Sequence, residues 1–145
     1  MSPRTAPLPF LDDEDLARLC ACGTEAQVRR GEILFQEGET ATHLVLIVEG
    51  EIAIETEGVA IAHCGAGEVL GEISMLEDAT ASATARVERD ARVVRIPWVA
   101  LDTMLASDEG LATRLYRSLG ARLARRARRL VAQVTRLNSA IARER

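Results

Sequence analysis

The segment Gly71-Glu72-Ile73-Ser74-Met75-Leu76 carries the residue types best suited to hold a ligand in this chain. Glycine lets a backbone come close to a bound molecule. Ser82 and Thr84, a little further on, add hydroxyls. Gly71 and Glu72 also have a purely structural use, in which the glycine shapes a turn and the carboxylate caps backbone N–H groups. Other reactive side chains are scattered. Cys20 and Cys22 lack a second pair, Cys64 stands alone, and His43 and His63 have no partners at ligand spacing, so no metal site is expected. The thiols read as packing groups. No Ser/His/Asp or Cys/His set suggests itself, and the chain is not expected to be an enzyme.

These residues sit among short β runs punctuated by glycine between Gln27 and Ile96. The candidates are Ile33–Phe35, Leu44–Val48, Ile52–Ile54, Val59–Ile61, Ala81–Val87 and Arg92–Ile96, separated by glycines such as Gly31, Gly38, Gly50 and Gly58. Alternation, as in Glu51-Ile52-Ala53-Ile54-Glu55, wets one face and buries the other. Many short, closely spaced strands imply a closed roll or jelly roll rather than an open parallel sheet. Before them, Asp12 can cap a helix to about Cys20 with Leu16, Leu19 and Cys20 on one face. After them, Pro97 opens a helix with Trp98, Leu101, Met104 and Leu105 apolar. Ser107 or Asp108 caps a last helix of about 55 Å, free of breakers to the end of the sequence. The expected organisation is a tail over 1–11, a mainly β roll with flanking helices over 12–106, and a long basic helix over 107–145.

That helix carries two apolar stripes. Tyr116, Gly120, Leu123 and Ala127 lead into Leu130, Val134, Leu137 and Ile141 at alternating spacings of four and three, the seam of a left-handed coiled coil. A homodimer is expected, since a helix packed wholly on its own domain would leave the distal seam in water. Gly120 would permit close helix approach. Leu111, Leu115 and Leu119 form the second stripe, facing the roll. All 18 basic residues are arginine; residues 1–113 hold 8 against 21 acidic side chains, and residues 114–145 hold 10 against Glu144 alone. Arg122, Arg125, Arg126, Arg128 and Arg129 flank the seam and are expected on a solvated face that also meets the acidic rolls. DNA is not an expected partner, because no helix-turn-helix follows in this sequence. Although 48% of the 145 residues are apolar, no run approaches the roughly 18 to 20 that span a bilayer. With no apolar signal core at Met1–Pro7, a soluble, cytoplasmic protein is expected and no membrane partner.

Three glycine-anchored segments carry a family resemblance. Gly31-Glu32-Ile33-Leu34-Phe35-Gln36-Glu37-Gly38-Glu39, Ile47-Val48-Glu49-Gly50-Glu51-Ile52 and Gly67-Glu68-Val69-Leu70-Gly71-Glu72-Ile73-Ser74-Met75-Leu76 occur in the order seen in cyclic-nucleotide-binding domains. The chain resembles that family, which includes bacterial catabolite activators and kinase regulatory subunits, over about residues 12 to 130. The resemblance implies a β-roll whose phosphate-binding cassette includes Leu70, Gly71, Glu72, Ile73 and Ser74, closed by Ala81, Ser82 and Ala83. It implies that Glu72 accepts a hydrogen bond from a ribose 2′-hydroxyl, and that Ile54, Ile61, Ala62 and Cys64 wall the pocket. The implied ligand is cyclic AMP, cyclic GMP or another cyclic nucleotide, with no further cofactor.

The sequence departs from the family pattern at two places. The arginine that meets the cyclic phosphate is replaced by Ala81, and the helix positions that contact adenine in catabolite activators are matched by Arg126 and Ala127. One charge-assisted hydrogen bond is worth about 1.5 to 3 kcal/mol, or roughly ten- to a hundred-fold in affinity. Arg126 can supply the charge that Ala81 lacks. The expected function is a regulatory nucleotide sensor signalling through a dimeric helix to a partner protein. The alternative is a ligand-free interaction module on the same fold.

Overall fold

The computed structural model describes residues 7–77 and 80–144. Helix α1, Asp13–Ala21, starts at a reciprocal cap: the Asp15 N–H donates to the Asp12 carboxylate at 2.8 Å, and the Asp12 N–H donates to Asp15 at 3.3 Å. Five strands and a short helix follow: β1 Thr24–Val28, β2 Ile33–Phe35, β3 His43–Thr56, β4 Val59–Cys64, β5 Val69–Leu70 and α2 Glu72–Glu77. Then come β6 Thr84–Pro97, α3 Trp98–Ser107 and α4 Glu109–Arg143. The pairings are antiparallel, in the order β1-β6-β3-β4, with β2 added to β6 and β5 to β3. This is the expected mainly β roll with flanking helices and a long last helix.

Four of the expected short strands prove to be two long ones. Leu44–Val48 and Ile52–Ile54 join in β3, and β6 joins most of Ala81–Val87 to Arg92–Ile96; each strand has 14 residues. Gly50 lets β3 continue. Its φ is +104°, and the register with β6 shifts between Ile47 and Ile52. A Cβ at Gly50 would lie 2.4 Å from the Ala91 Cβ, so only glycine fits this crossing.

The first half of β3 is buried on both faces, which explains its continuous apolar run. Leu44 and Leu46 join Val94, Ile96 and the helices; Val45 and Ile47 join Ile52, Val87 and Val93 inside the roll. Leu111, Leu115 and Leu119 of α4 are 0% exposed and lock that helix to the roll, as their spacing predicts. Asp108 caps α4 by accepting from the Leu111 N–H at 3.0 Å, and it also pairs with Arg18 of α1. Arg114 donates twice to the buried Asp15, both bonds at 2.8 Å. Residues 7–11, expected as a tail, pack in place: Leu8 is buried, the Phe10 N–H donates to Ser118 Oγ at 3.0 Å, and Arg117 lies over the Phe10 ring.

Beyond Arg126, every described residue of α4 is exposed. Leu130, Val134, Leu137 and Ile141 are 53–63% exposed, as is the neighbouring Val131 at 65%; Tyr116, Gly120 and Ala127 are exposed too, and Leu123 is half-buried. Among the described residues no helix is long and apolar enough to cross a membrane.

Candidate functional site

Strand β5 delivers the chain to Gly71 at φ +87°, where an added Cβ would stand 2.9 Å from the His43 carbonyl oxygen and 3.3 Å from the Phe35 ring. Glycine is therefore required at the turn that aims Glu72. The Glu72 side chain points inward and the residue is 3% exposed. Its carboxylate meets α4: Arg122 Nε lies 3.6 Å from Glu72 Oε1 and Arg126 Nη1 lies 4.0 Å away.

Arg122 does not lie on a solvated face. It is 6% exposed and spreads over three partners, with Nη1 3.3 Å from Glu68 Oε1 and Nη2 3.6 Å from Cys64 Sγ besides the Glu72 contact. Its Nε has no hydrogen-bond acceptor despite being buried. The reason is helical phase: Leu115, Leu119, Arg122 and Arg126 continue one inward stripe at spacings of four, three and four. Spacing held the signal for Arg122, and charge concealed it.

Leu70, Gly71, Glu72, Ile73, Ser74, Ala81, Ser82 and Ala83 come together with Arg126 around a hollow of about 50 Å³. Ile54, Ile61, Ala62 and Cys64 wall an adjoining hollow of about 240 Å³, which Arg122, Arg126 and Arg129 border from the helix. Ile54 and Arg126 belong to both. Two of the cassette's hydroxyls are engaged elsewhere. Ser74 Oγ donates to the Thr80 carbonyl at 2.9 Å, and Thr84 Oγ1 accepts from the Glu37 N–H at 3.0 Å and from Gln36 Nε2 at 3.3 Å. Ser74 thus closes its own loop, because buried hydroxyls take the nearest carbonyl. The Ala81 backbone is tied to Gly38 and Glu39, each bond 2.9 Å. The helix α2 is only six residues long, so the strong charges in this site are those of Glu68, Glu72 and the α4 arginines.

Burial raises the Cys64 thiol above its ordinary range, with Glu68 adding to the effect and Arg122 opposing it. The thiol therefore packs as a neutral group. His63 departs from expectation. Its Nδ1 lies 2.9 Å from Glu88 Oε2 and 3.9 Å from Glu51 Oε1, residues on β6 and β3 that strand pairing brings beside β4. Sequence spacing hides this trio, since His63 and Glu88 stand 25 residues apart.

Comparison with known proteins bears on the family and the fold. The family model for the cyclic nucleotide-binding domain matches residues 25–108. A cGMP-dependent protein kinase of Caenorhabditis briggsae is 31% identical over 86 residues, covering 59% of this chain and 12% of the kinase. The chain thus spans a small part of that relative's length. A cyclic nucleotide-binding domain from Methylobacillus flagellatus superposes with a TM-score of 0.76 at 25% identity, over 86% of this chain and 73% of that one. The catabolite activator protein of Thermus thermophilus shares the fold with a TM-score of 0.73 at 23% identity, over 91% of this chain and 63% of that one.

Proposed function

The chain belongs to the cyclic nucleotide-binding domain family, and from that premise we propose a cytoplasmic regulatory module that takes a cyclic nucleotide between Glu72 and α4. The observation carrying this reading is the inward-facing, buried Glu72 opposite Arg122 and Arg126. A ribose hydroxyl can donate to the carboxylate while a phosphate takes a neighbouring guanidinium, so one ligand satisfies both signs of charge. Arg126 borders the cassette hollow as well as the larger one, and it offsets the charge lost at Ala81. A ligand that competes for these arginines alters what fixes α4 to the roll. Occupancy then biases the helix, provided the ligand binds one helix arrangement better than another.

The distal seam of α4 supports a homodimer as the form that carries the signal to a partner protein. Leu130, Val134, Leu137 and Ile141 lie exposed along one face. The test is calorimetric titration with cyclic AMP and cyclic GMP. Arg126→Ala should weaken binding by about ten- to a hundred-fold, and Ala81→Arg should strengthen it. Equal affinities for the wild type and Arg126→Ala would reject the role of Arg126.

A second reading rests on the hydroxyls of Ser74 and Thr84 being held by the protein and on the small cassette hollow. On it, the fold serves as a ligand-free interaction module. Melting temperatures unmoved by a panel of nucleotides would favour that reading.

A further inference from the structure

Glu51, His63 and Glu88 stand apart from the nucleotide site in what they pair with. Around them on the sheet, carboxylates find arginines: Glu25 and Glu49 both reach Arg92, and Glu55 takes Arg86. Glu51 and Glu88 have no arginine within ion-pair distance among the described residues, and both turn to one histidine nitrogen. A single Nδ1 proton can serve one carboxylate only, which leaves the second negative charge beside the first. In a chain with 18 arginines, that arrangement asks for a cation.

The donors are also placed by rigid elements. They come from β3, β4 and β6, three strands adjacent in the sheet. Straight pairing sets His63 opposite Ala53, two residues beyond Glu51. Register shifts on both sides of Glu51, next to the left-handed Gly50, accompany its approach to His63; bulges re-aim side chains in this way. One donor atom from each residue lies within 4.8 Å of the others. Two ligands about 2.0 to 2.1 Å from a tetrahedral zinc ion stand about 3.3 Å apart. The observed separations from His63 Nδ1, 2.9 Å and 3.9 Å, bracket that value.

We propose that Glu51, His63 and Glu88 form a binding site for a divalent transition-metal ion of the zinc class, with one nitrogen and two carboxylate oxygens as ligands and the remaining positions open to water. Nitrogen and oxygen donors at this spacing suit zinc and its borderline neighbours rather than calcium or magnesium. His63 lies on the same strand as Ile61, Ala62 and Cys64, so bound metal would brace the wall of the larger hollow.

The test uses the full chain, stripped with chelator and titrated with Zn²⁺ by calorimetry and with Co²⁺ by visible absorption. One ion per chain should bind, ligand-field bands should appear, and Zn²⁺ should raise the melting temperature. His63→Ala should lose at least a hundred-fold in affinity together with the bands and the thermal shift. Glu51→Gln/Glu88→Gln should do the same, and each variant should keep the circular dichroism of the wild type, since His63 is exposed and Glu51 and Glu88 are half-buried. Cys20→Ser/Cys22→Ser should bind as the wild type does. Undiminished affinity in His63→Ala, loss of binding in the cysteine variant, or no saturable binding by the wild type would each overturn the proposal.

Discussion

Replacing Arg122 with methionine removes one charge from a buried pair and keeps most of the side-chain volume. The Glu72 carboxylate, 3% exposed, then retains only the Arg126 contact at 4.0 Å. Stripping one partner from a buried ion pair costs about 3 to 5 kcal/mol, because the remaining charge stays desolvated. Glu68 softens nothing here, since its own contact with Arg122 at 3.3 Å is lost as well. For a chain of this size each kcal/mol moves the melting temperature by about 2 to 4 °C, so Arg122→Met should melt about 6 to 20 °C below the wild type. The decisive assay is a double-mutant cycle by urea unfolding. Arg122→Met with Glu72→Gln should recover most of the loss, because a neutral amide tolerates the dry site better than an unpaired carboxylate. A single-variant loss below about 1 kcal/mol, or a double variant no more stable than Arg122→Met, would refute the buried-pair account.

Three further outcomes are expected. Gly50→Ala should lose at least about 2 kcal/mol in denaturant titration, since the new methyl meets Ala91 and the φ of +104° strains any side chain. The Arg114 guanidinium bonded to Asp15, ahead of other causes, holds that carboxyl below the usual aspartate range. A depressed folded-state pKa means the Asp15 contribution is complete above about pH 4 and is lost as pH falls below it toward the folded value; Asp15→Asn should flatten stability against pH in that window, and an unchanged profile would count against the pairing. Leu137→Glu should convert a dimer to monomer in sedimentation equilibrium while preserving the circular dichroism of the roll; a wild type that is already monomeric would dispose of the seam.

Local periodicity made much of this fold legible. Leu111, Leu115 and Leu119 announce the helix face against the roll, whereas the turn that aims Glu72 is legible through the family resemblance of the run Gly67 to Leu76. The Asp12 cap followed from residue type alone. What escaped needed tertiary information. Gly50 reads as a break between strands, yet in the presence of Ala91 it is the crossing that keeps β3 continuous. Arg122 reads as solvated by its charge, although its phase on α4 directs it into the site. Leu8 belongs to the core through contacts with elements far away in the chain. The pairing of His63 with Glu51 and Glu88 depends on strand register, which no local pattern encodes.

The carboxylate of Glu72 faces two guanidiniums that are one helical turn apart on α4. A slide that brought Arg126 to the place of Arg122 would cover four residues, about 6 Å, and would put Leu130 where Arg126 now stands. Glu72 would then keep one guanidinium instead of two, so the match is poorer after the step than before it. The contact therefore works as a single notch that fixes the axial position of α4 on the roll. Spin labels placed on the roll and on distal α4 should give one narrow distance in the wild type and a broadened one in Arg122→Met.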